Sequence, residues 1–372
     1  MATYLPPTVE NGAFTLPGPY YTADDIYRQE IERIFLRDWL YIGRASQIPN
    51  PGDYFLAEMF GESLIIVRGK DGVVRALFNV CRHRGTRMLT DGCGHLAETI
   101  QCPYHAWTYG LDGRLLAARL MGDAPDFDPA AYPLRAAAVF DWEGFLFMSL
   151  AREPKPFESE LEALIDKFPT WALRTLVTVR HIEYDVAANW KLVVENYSEC
   201  YHCPLVHPAL TKLSPPTSGL NDLLVGPVLG GYMLLNEDVL SMTVDGGTMR
   251  PPVGNVGGDD LGRVYYYSIF PNMLLSLHPD YVMSHRLTPL GAGRTRVVCE
   301  WHFDPIAVAR PDFDPSDAVE FWDMTNRQDW RVCELSQLGV SSRAYAPGPY
   351  AHSEGLLWAF DQEYLQRLEV SP

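Results

Sequence analysis

Two short cysteine–histidine pairs constrain this chain more than any other feature. They are Cys81-Arg82-His83 and Cys102-Pro103-Tyr104-His105, with eighteen residues between His83 and Cys102. Each pair puts one thiolate and one imidazole on a tight loop. Gly85 permits unusual backbone angles beside the first pair, and Pro103 stiffens the second. Two such loops facing each other offer two sulfurs to one metal and two nitrogens to another, the ligand division of a mixed-ligand [2Fe–2S] cluster. The same four residues suit a structural zinc, although zinc modules more often pair Cys with Cys and His with His. Cys93-Gly94-His95 is a third C-x-H. It falls in a Gly-rich stretch expected to be a surface loop, so the cluster assignment goes to Cys81, His83, Cys102 and His105.

The surroundings suit a loop-held site. From Trp39 to about Ser149, short runs such as YFLAEMF, SLIIVRG, VVRALFNV and GFLFMSL are punctuated by Gly, Asp and Pro, which predicts a small antiparallel β domain. Arg152-Glu153-Pro154-Lys155-Pro156 makes a linker. Beyond it the pattern is mixed. Helices are expected over 157–168, 189–203 and 316–340, and strands at VYYYSIF, NMLLSLH, YVMSHRLTPL and TRVVCEWHF. Residues 22–37 predict one more amphipathic helix. The Gly/Pro-rich stretch 244–260 is long for a connection and is a candidate lid.

A second constellation lies in NWKLVVENYSECYHCPLVHP, residues 189–208. His202 and His207 are five apart, which on an unbroken helix leaves them about 140° apart around the axis. Pro204 and Pro208 disfavour helix at the residues before them, so the chain is expected to fold His207 back toward His202. Glu199 precedes His202 by three residues, on the same helical face and close enough to bond its ring. Two histidines still lack the carboxylate of a 2-His-1-carboxylate iron site. Cys200-Tyr201-His202-Cys203 is formally C-x-x-C, but it sits late in a predicted helix, where a redox pair is not expected.

Composition narrows the class. The chain has 372 residues, enough for two or three domains of ~150 residues. Its 30 basic and 47 acidic residues leave a formal charge of −17, unsuited to nucleic acid or an anionic membrane. Seven cysteines are too few for a disulfide scaffold. No run approaches the ~18 apolar residues of a membrane span. The opening MATYLPPTVENGAF has neither a basic nor an apolar region, so no signal peptide is expected. A cytoplasmic protein in a reducing compartment follows.

Taken together, CRHRGTRM (81–88), CPYHAWTYGLDGRL (102–115), NWKLVVENYSECYH (189–202) with His207, and QDWRVCELSQLGVSSRAYAPG (328–348) make the chain resemble the catalytic α subunits of Rieske non-haem iron oxygenases. The resemblance implies an α+β fold: a Rieske-type antiparallel β domain at 38–152, inserted before a helix-grip (START-like) catalytic domain with a central antiparallel sheet, formed by 1–37 and 153–372. It implies that Cys81 and Cys102 bind one iron of a [2Fe–2S] cluster and His83 and His105 the other. His202 and His207 would bind a mononuclear Fe(II), with Asp329 as third ligand and Asp323 as the fallback. Glu199 matches the carboxylate that carries electrons between subunits of a homotrimer, although the ring-hydroxylating dioxygenases usually have Asp there. The cosubstrate would be O2. Electrons would come from NAD(P)H through a separate ferredoxin or flavin-iron-sulfur reductase.

Glu199 and the NYSECYHCP context look closest to the branch that oxidises quaternary ammonium compounds such as glycine betaine, carnitine and stachydrine. Monooxygenation or N-demethylation of such a compound is therefore expected. Tyr197, Tyr201, Tyr265, Tyr267, Phe270 and Tyr281 are candidates for a cation cage, although aromatic residues in VYYYSIF also suit a sheet core. The runner-up is an aromatic ring-hydroxylating dioxygenase. A pure electron carrier is the alternative from another class.

Overall fold

Between Gly- and Asp-bearing turns, β-branched and aromatic residues pair into strands along most of the chain. The computed structural model describes residues 13–122 and 124–369, so the opening stretch read above for a signal peptide lies outside the described residues up to residue 12. The chain divides into two compact units: Phe35–Lys155, and the N-terminal stretch through Ile34 together with everything from Pro156 onward.

Among the described residues, the Phe35–Lys155 unit holds ten strands. In chain order, β1 to β10 are Leu40–Arg44, Asp53–Met59, Glu62–Arg68, Val74–Phe78, Cys93–His95, Thr99–Gln101, Thr108–Gly110, Leu115–Ala117, Ala136–Trp142 and Phe145–Ser149. Seven make an antiparallel sheet in the order β1-β10-β9-β4-β3-β2-β5, and β6-β7-β8 form a second. Cys93-Gly94-His95 was expected in a loop; it is strand β5, pairing with β2 while His95 Nδ1 meets Asp53 Oδ1 at 2.8 Å. Tyr54, Ile65, Val67 and Leu77 of the larger sheet pack with Ile100, Tyr109 and Leu115 of the smaller one. Cys81, Cys102 and Trp107 belong to this same core.

The second unit is built on a seven-stranded antiparallel sheet. Its strands β11 to β17 are Val177–Val186, Leu220–Leu223, Val228–Leu234, Arg263–Ile269, Met273–Leu277, Val282–Gly291 and Arg294–Phe303, in the order β11-β17-β16-β15-β14-β13-β12. The last four were expected and the first three were not. In β13 the reason is Gly230-Gly231, which weakens the strand pattern. A Cβ on Gly230 would collide with the Tyr266 carbonyl oxygen, so strand pairing this close requires glycine.

The long helix Ser316–Val340 forms as expected and crosses one face of this sheet, where Trp330 meets Tyr184 of β11 and Trp322 meets Tyr266 of β14. Two other expectations fail locally. The 22–37 helix is α-helical only over Asp24–Glu30 and widens into a π turn over Ile31–Phe35. Residues 157–168 yield only the short helices Phe157–Glu160 and Glu162–Leu164, ending near Asp166 at a φ of 55°. The 244–260 stretch is anchored. Arg250 pairs with Asp280 and Asp317, Gly254 N–H donates to Asp304, and Val253 and Val256 are buried. Among the described residues no helix is long and apolar enough to cross a membrane.

Candidate metal centres

The two cysteine–histidine loops have the same backbone construction. Gly85 N–H donates to the Cys81 carbonyl, and Cys81 N–H to that of Thr86, at 3.0 and 2.9 Å. Ala106 N–H likewise donates to Cys102, and Cys102 N–H to Trp107, at 3.1 and 2.8 Å. The residue four beyond each cysteine is left-handed: Gly85 at φ 75° and Ala106 at φ 58°. Alanine tolerates this at a cost of about 1–2 kcal/mol.

The loops bury both thiols and leave both imidazoles toward the surface, His83 and His105 meeting edge to face with centroids 4.7 Å apart. His83 also stacks on Trp107 at 4.9 Å. The Tyr109 hydroxyl accepts from Arg82 N–H and lies 3.4 Å from Cys81 Sγ. Burial pushes the Cys81 thiol up, and neighbouring Cys102 adds to this. A metal reverses that preference by requiring thiolates. Neither cysteine is in a disulfide. Two buried sulfurs and two facing imidazoles fit a cluster with one iron on the cysteines and the other on the histidines better than a four-ligand zinc.

The second centre begins at Asn189. Its side chain caps the helix Trp190–Tyr197 by accepting from Lys191 N–H, while its amide donates to Ala292 O. Gln337 of the long helix accepts from Asn189 N–H at 2.8 Å, and Cys333 donates to Leu192 O. These contacts dock the two helices and bring Asp329 toward the following loop.

The helix stops at Ser198, earlier than its sequence pattern suggests, so Glu199 and His202 do not share a helical face. They meet through a turn. Glu199 Oε2 accepts from the backbone N–H of Tyr201 and His202, and Oε1 lies 2.5 Å from His202 Nδ1. Pro204 then starts a short helix, Cys203–Val206, and His207 joins it to Pro208–Leu213. The expected fold-back therefore occurs. Cys200 and Cys203, where a redox pair was not expected, are joined in a disulfide around this turn. The i,i+3 turn brings their Cα atoms to 4.9 Å, within bridging range.

His202, His207 and Asp329 each turn one donor atom toward a common point. The separations are 2.7 Å between His207 Nε2 and Asp329 Oδ1, 3.1 Å between the two Nε2 atoms, and 3.3 Å between His202 Nε2 and Asp329 Oδ1. Ligands at right angles on a metal with bonds of about 2.1 Å sit about 3 Å apart, so the triangle fits one face of an octahedral ion. Burial would lower the His202 imidazole, but Asp329 and Glu199 outweigh it and lift it to about 9. Burial would raise Asp329, but the two histidines hold it below the usual carboxylate range. Asp323, the fallback, is engaged elsewhere: it accepts from the Tyr184 hydroxyl at 2.7 Å and pairs with Arg327.

Sequence reasoning missed Gln328, whose Oε1 lies 2.7 Å from His207 Nδ1. Its only signal was adjacency to Asp329. The cage candidates fare unevenly. Tyr197 and Tyr281 lie on the side of the long helix, but Tyr265 and Tyr267 pack against Phe168 on the opposite face of β14. Alternation along the strand puts the uncounted Tyr266 on the helix side, near Tyr197 and Trp322. Phe270 packs with Trp190 and Phe360, and Tyr201 is 70% exposed.

Comparison with known proteins agrees with this geometry. The Rieske [2Fe-2S] domain family matches residues 38–128, and the ring hydroxylating α subunit catalytic domain matches 173–370. The glycine betaine monooxygenase oxygenase subunit of Chromohalobacter salexigens is 35% identical over 92% of this chain and 83% of its own length. The carnitine monooxygenase oxygenase subunit of Acinetobacter baumannii is 36% identical over 53% of each chain. The structure of the quaternary ammonium Rieske monooxygenase CntA with an inhibitor superposes with a TM-score of 0.83, at 25% identity and 96% coverage of both chains.

Proposed function

Because this chain belongs to the Rieske ring-hydroxylating oxygenase α subunits, we propose that it hydroxylates an N-methyl group, or a neighbouring carbon, of a small quaternary amine. The observation that carries the proposal is the convergence of His202, His207 and Asp329, together with a relative of 35% identity that is a glycine betaine monooxygenase subunit.

Cys81, His83, Cys102 and His105 are the proposed holders of the [2Fe–2S] cluster, and His202, His207 and Asp329 of the mononuclear iron. When bound, the cluster supplies single electrons and the iron activates O2. The chain's own residues set the conditions for this. Glu199 accepts the Nδ1 proton of His202 and Gln328 that of His207, which keeps both Nε2 atoms free to ligate. Asp329 stays anionic between them. Held by His202, His207 and Asp329 alone, the iron would keep room to take up O2. The overall balance takes one O2, two electrons and two protons per C–H bond hydroxylated, and releases one water. In a hydroxylated N-methyl group the C–N bond then breaks, nitrogen keeping the electron pair, to give the tertiary amine, formaldehyde and a proton.

Electrons would come from NAD(P)H through a separate reductase, as "oxygenase subunit" in the relatives' names suggests. We assign Glu199 as the bridge from one subunit's cluster to the next subunit's iron. Inter-subunit electron transfer in a related quaternary ammonium monooxygenase supports that assignment. A homotrimer in the cytoplasm is the matching assembly.

The test is anaerobic reduction of the holoprotein, followed by O2 in the presence of quaternary amines and arenes. Formaldehyde or a hydroxylated amine is expected. Arene diols with no amine product would replace this reading with the dioxygenase one.

A further inference from the structure

One face of the long helix runs away from the iron triad. Trp322, Asn326 and Asp329 fall at i, i+4 and i+7, so Trp322 lies about 10 Å from Asp329 along the axis. Between these two levels the interior is lined with rings. His285, Tyr197, Tyr266 and Trp322 follow one another with centroids 6.1–6.3 Å apart. Tyr197 and Tyr266 are half-buried, whereas His285 is buried.

His278 closes the far end. It is fully buried, it stacks on Tyr281 at 4.1 Å, and Trp322 and Tyr266 stand 5.4 and 6.3 Å from it. Neither of its ring nitrogens has a hydrogen-bond partner among the described residues. The tyrosine and tryptophan beside it are satisfied: Trp322 donates to the Tyr281 hydroxyl, which donates to Met242 O. An imidazole with both nitrogens unmet is costly to bury, and a ligand explains why one is kept.

We propose that His278 is a specificity-determining residue that takes the carboxylate of a zwitterionic quaternary amine whose ammonium lies among Tyr197, Tyr266 and Trp322. This rests on the quaternary-amine reading above and deepens it. The ring faces give a cation electrostatic attraction without a competing hydrogen bond. Burial and the positive charge of Arg250 keep the His278 imidazole neutral, and it then offers one N–H to an anion. The roughly 10 Å between the levels of Asp329 and Trp322 spans a small zwitterion together with its contacts at each end, with a methyl on the side of the triad and its carboxylate on the side of His278.

The experiment titrates glycine betaine and tetramethylammonium separately into the holoenzyme. His278→Phe keeps a ring against Tyr281 but removes both nitrogens, whereas His278→Gln restores an N–H. The expected result is that His278→Phe weakens glycine betaine relative to tetramethylammonium by about tenfold or more, and that His278→Gln recovers part of the ratio. A ratio that does not move, or equal losses for both ligands in both variants, overturns the assignment and makes His278 a packing residue. A wild-type holoenzyme that binds neither ligand instead overturns the quaternary-amine reading itself.

Discussion

Glu199 grips His202 twice: one carboxylate oxygen meets the ring at Nδ1, and the other accepts from the backbone N–H of the same residue. Ring and main chain are thus held by one side chain across a three-residue turn. Glu199→Gln keeps the size and the backbone acceptor but removes the charge. We expect both metal sites to stay filled and electron transfer to the mononuclear iron to become very slow, read as product per pre-reduced cluster in a single turnover. Wild-type product formation would remove Glu199 from the electron path.

The third ligand gives a paired prediction. Asp329→Ala should abolish mononuclear iron binding while leaving the visible absorption of the [2Fe–2S] cluster. Asp323→Ala should keep the iron, because it loses only a tyrosine hydrogen bond and an exposed ion pair, at a cost of about 1 kcal/mol. Iron assay and thermal melting separate the two. The reverse pattern would move the ligand to Asp323.

What was legible in the sequence follows what is local. The two cysteine–histidine loops are short local turns, closed from Cys81 to Gly85 and from Cys102 to Ala106, so spacing alone was enough to single out these candidate residues. The fold-back at His207 was legible because Pro204 and Pro208 act on the residues beside them. Distant contacts left no such mark. Gln328 meets His207 only after helix Ser316–Val340 docks, and the stop at Ser198 depends on Glu199 capping the next turn. The cage candidates missed on parity: Tyr265, Tyr266 and Tyr267 look alike in sequence, and only the sheet register sorts them to opposite faces.

Gln328 yields a third prediction. Gln328→Leu removes the acceptor that orients His207 but leaves all three ligands in place. Mononuclear iron affinity should fall by about ten- to a hundredfold, as for other residues that orient a ligand. The cluster spectrum should not change. Equilibrium iron competition with a chelator measures this. Unaltered affinity would mean that burial alone sets the His207 ring.

A last prediction concerns pH and lies outside the metal sites. Lys191 and Glu195 of the helix Trp190–Tyr197 are buried together with Glu30 and Asp361, with Lys191 paired to Glu30 and the Tyr21 hydroxyl donating to Glu195. One lysine faces three carboxylates. Burial pushes Glu195 up from 4.5 to about 7, against the pull of Tyr21 and Lys191, and burial with the charge of Glu195 drives Asp361 up as well. An acid whose pKa rises on folding stabilises fully below its unfolded pKa, and that contribution is lost as pH climbs through the folded value. From pH 5 to pH 8 Glu195 should therefore cost the fold up to about 3 kcal/mol, less whatever Lys191 returns. Glu195→Gln keeps an acceptor for Tyr21 and carries no charge to bury. Its Tm should vary less than the wild type's between pH 5 and 8, and should exceed it at pH 8. Parallel Tm curves for the two proteins would mean that Glu195 is already ionised at pH 5, held so by Lys191.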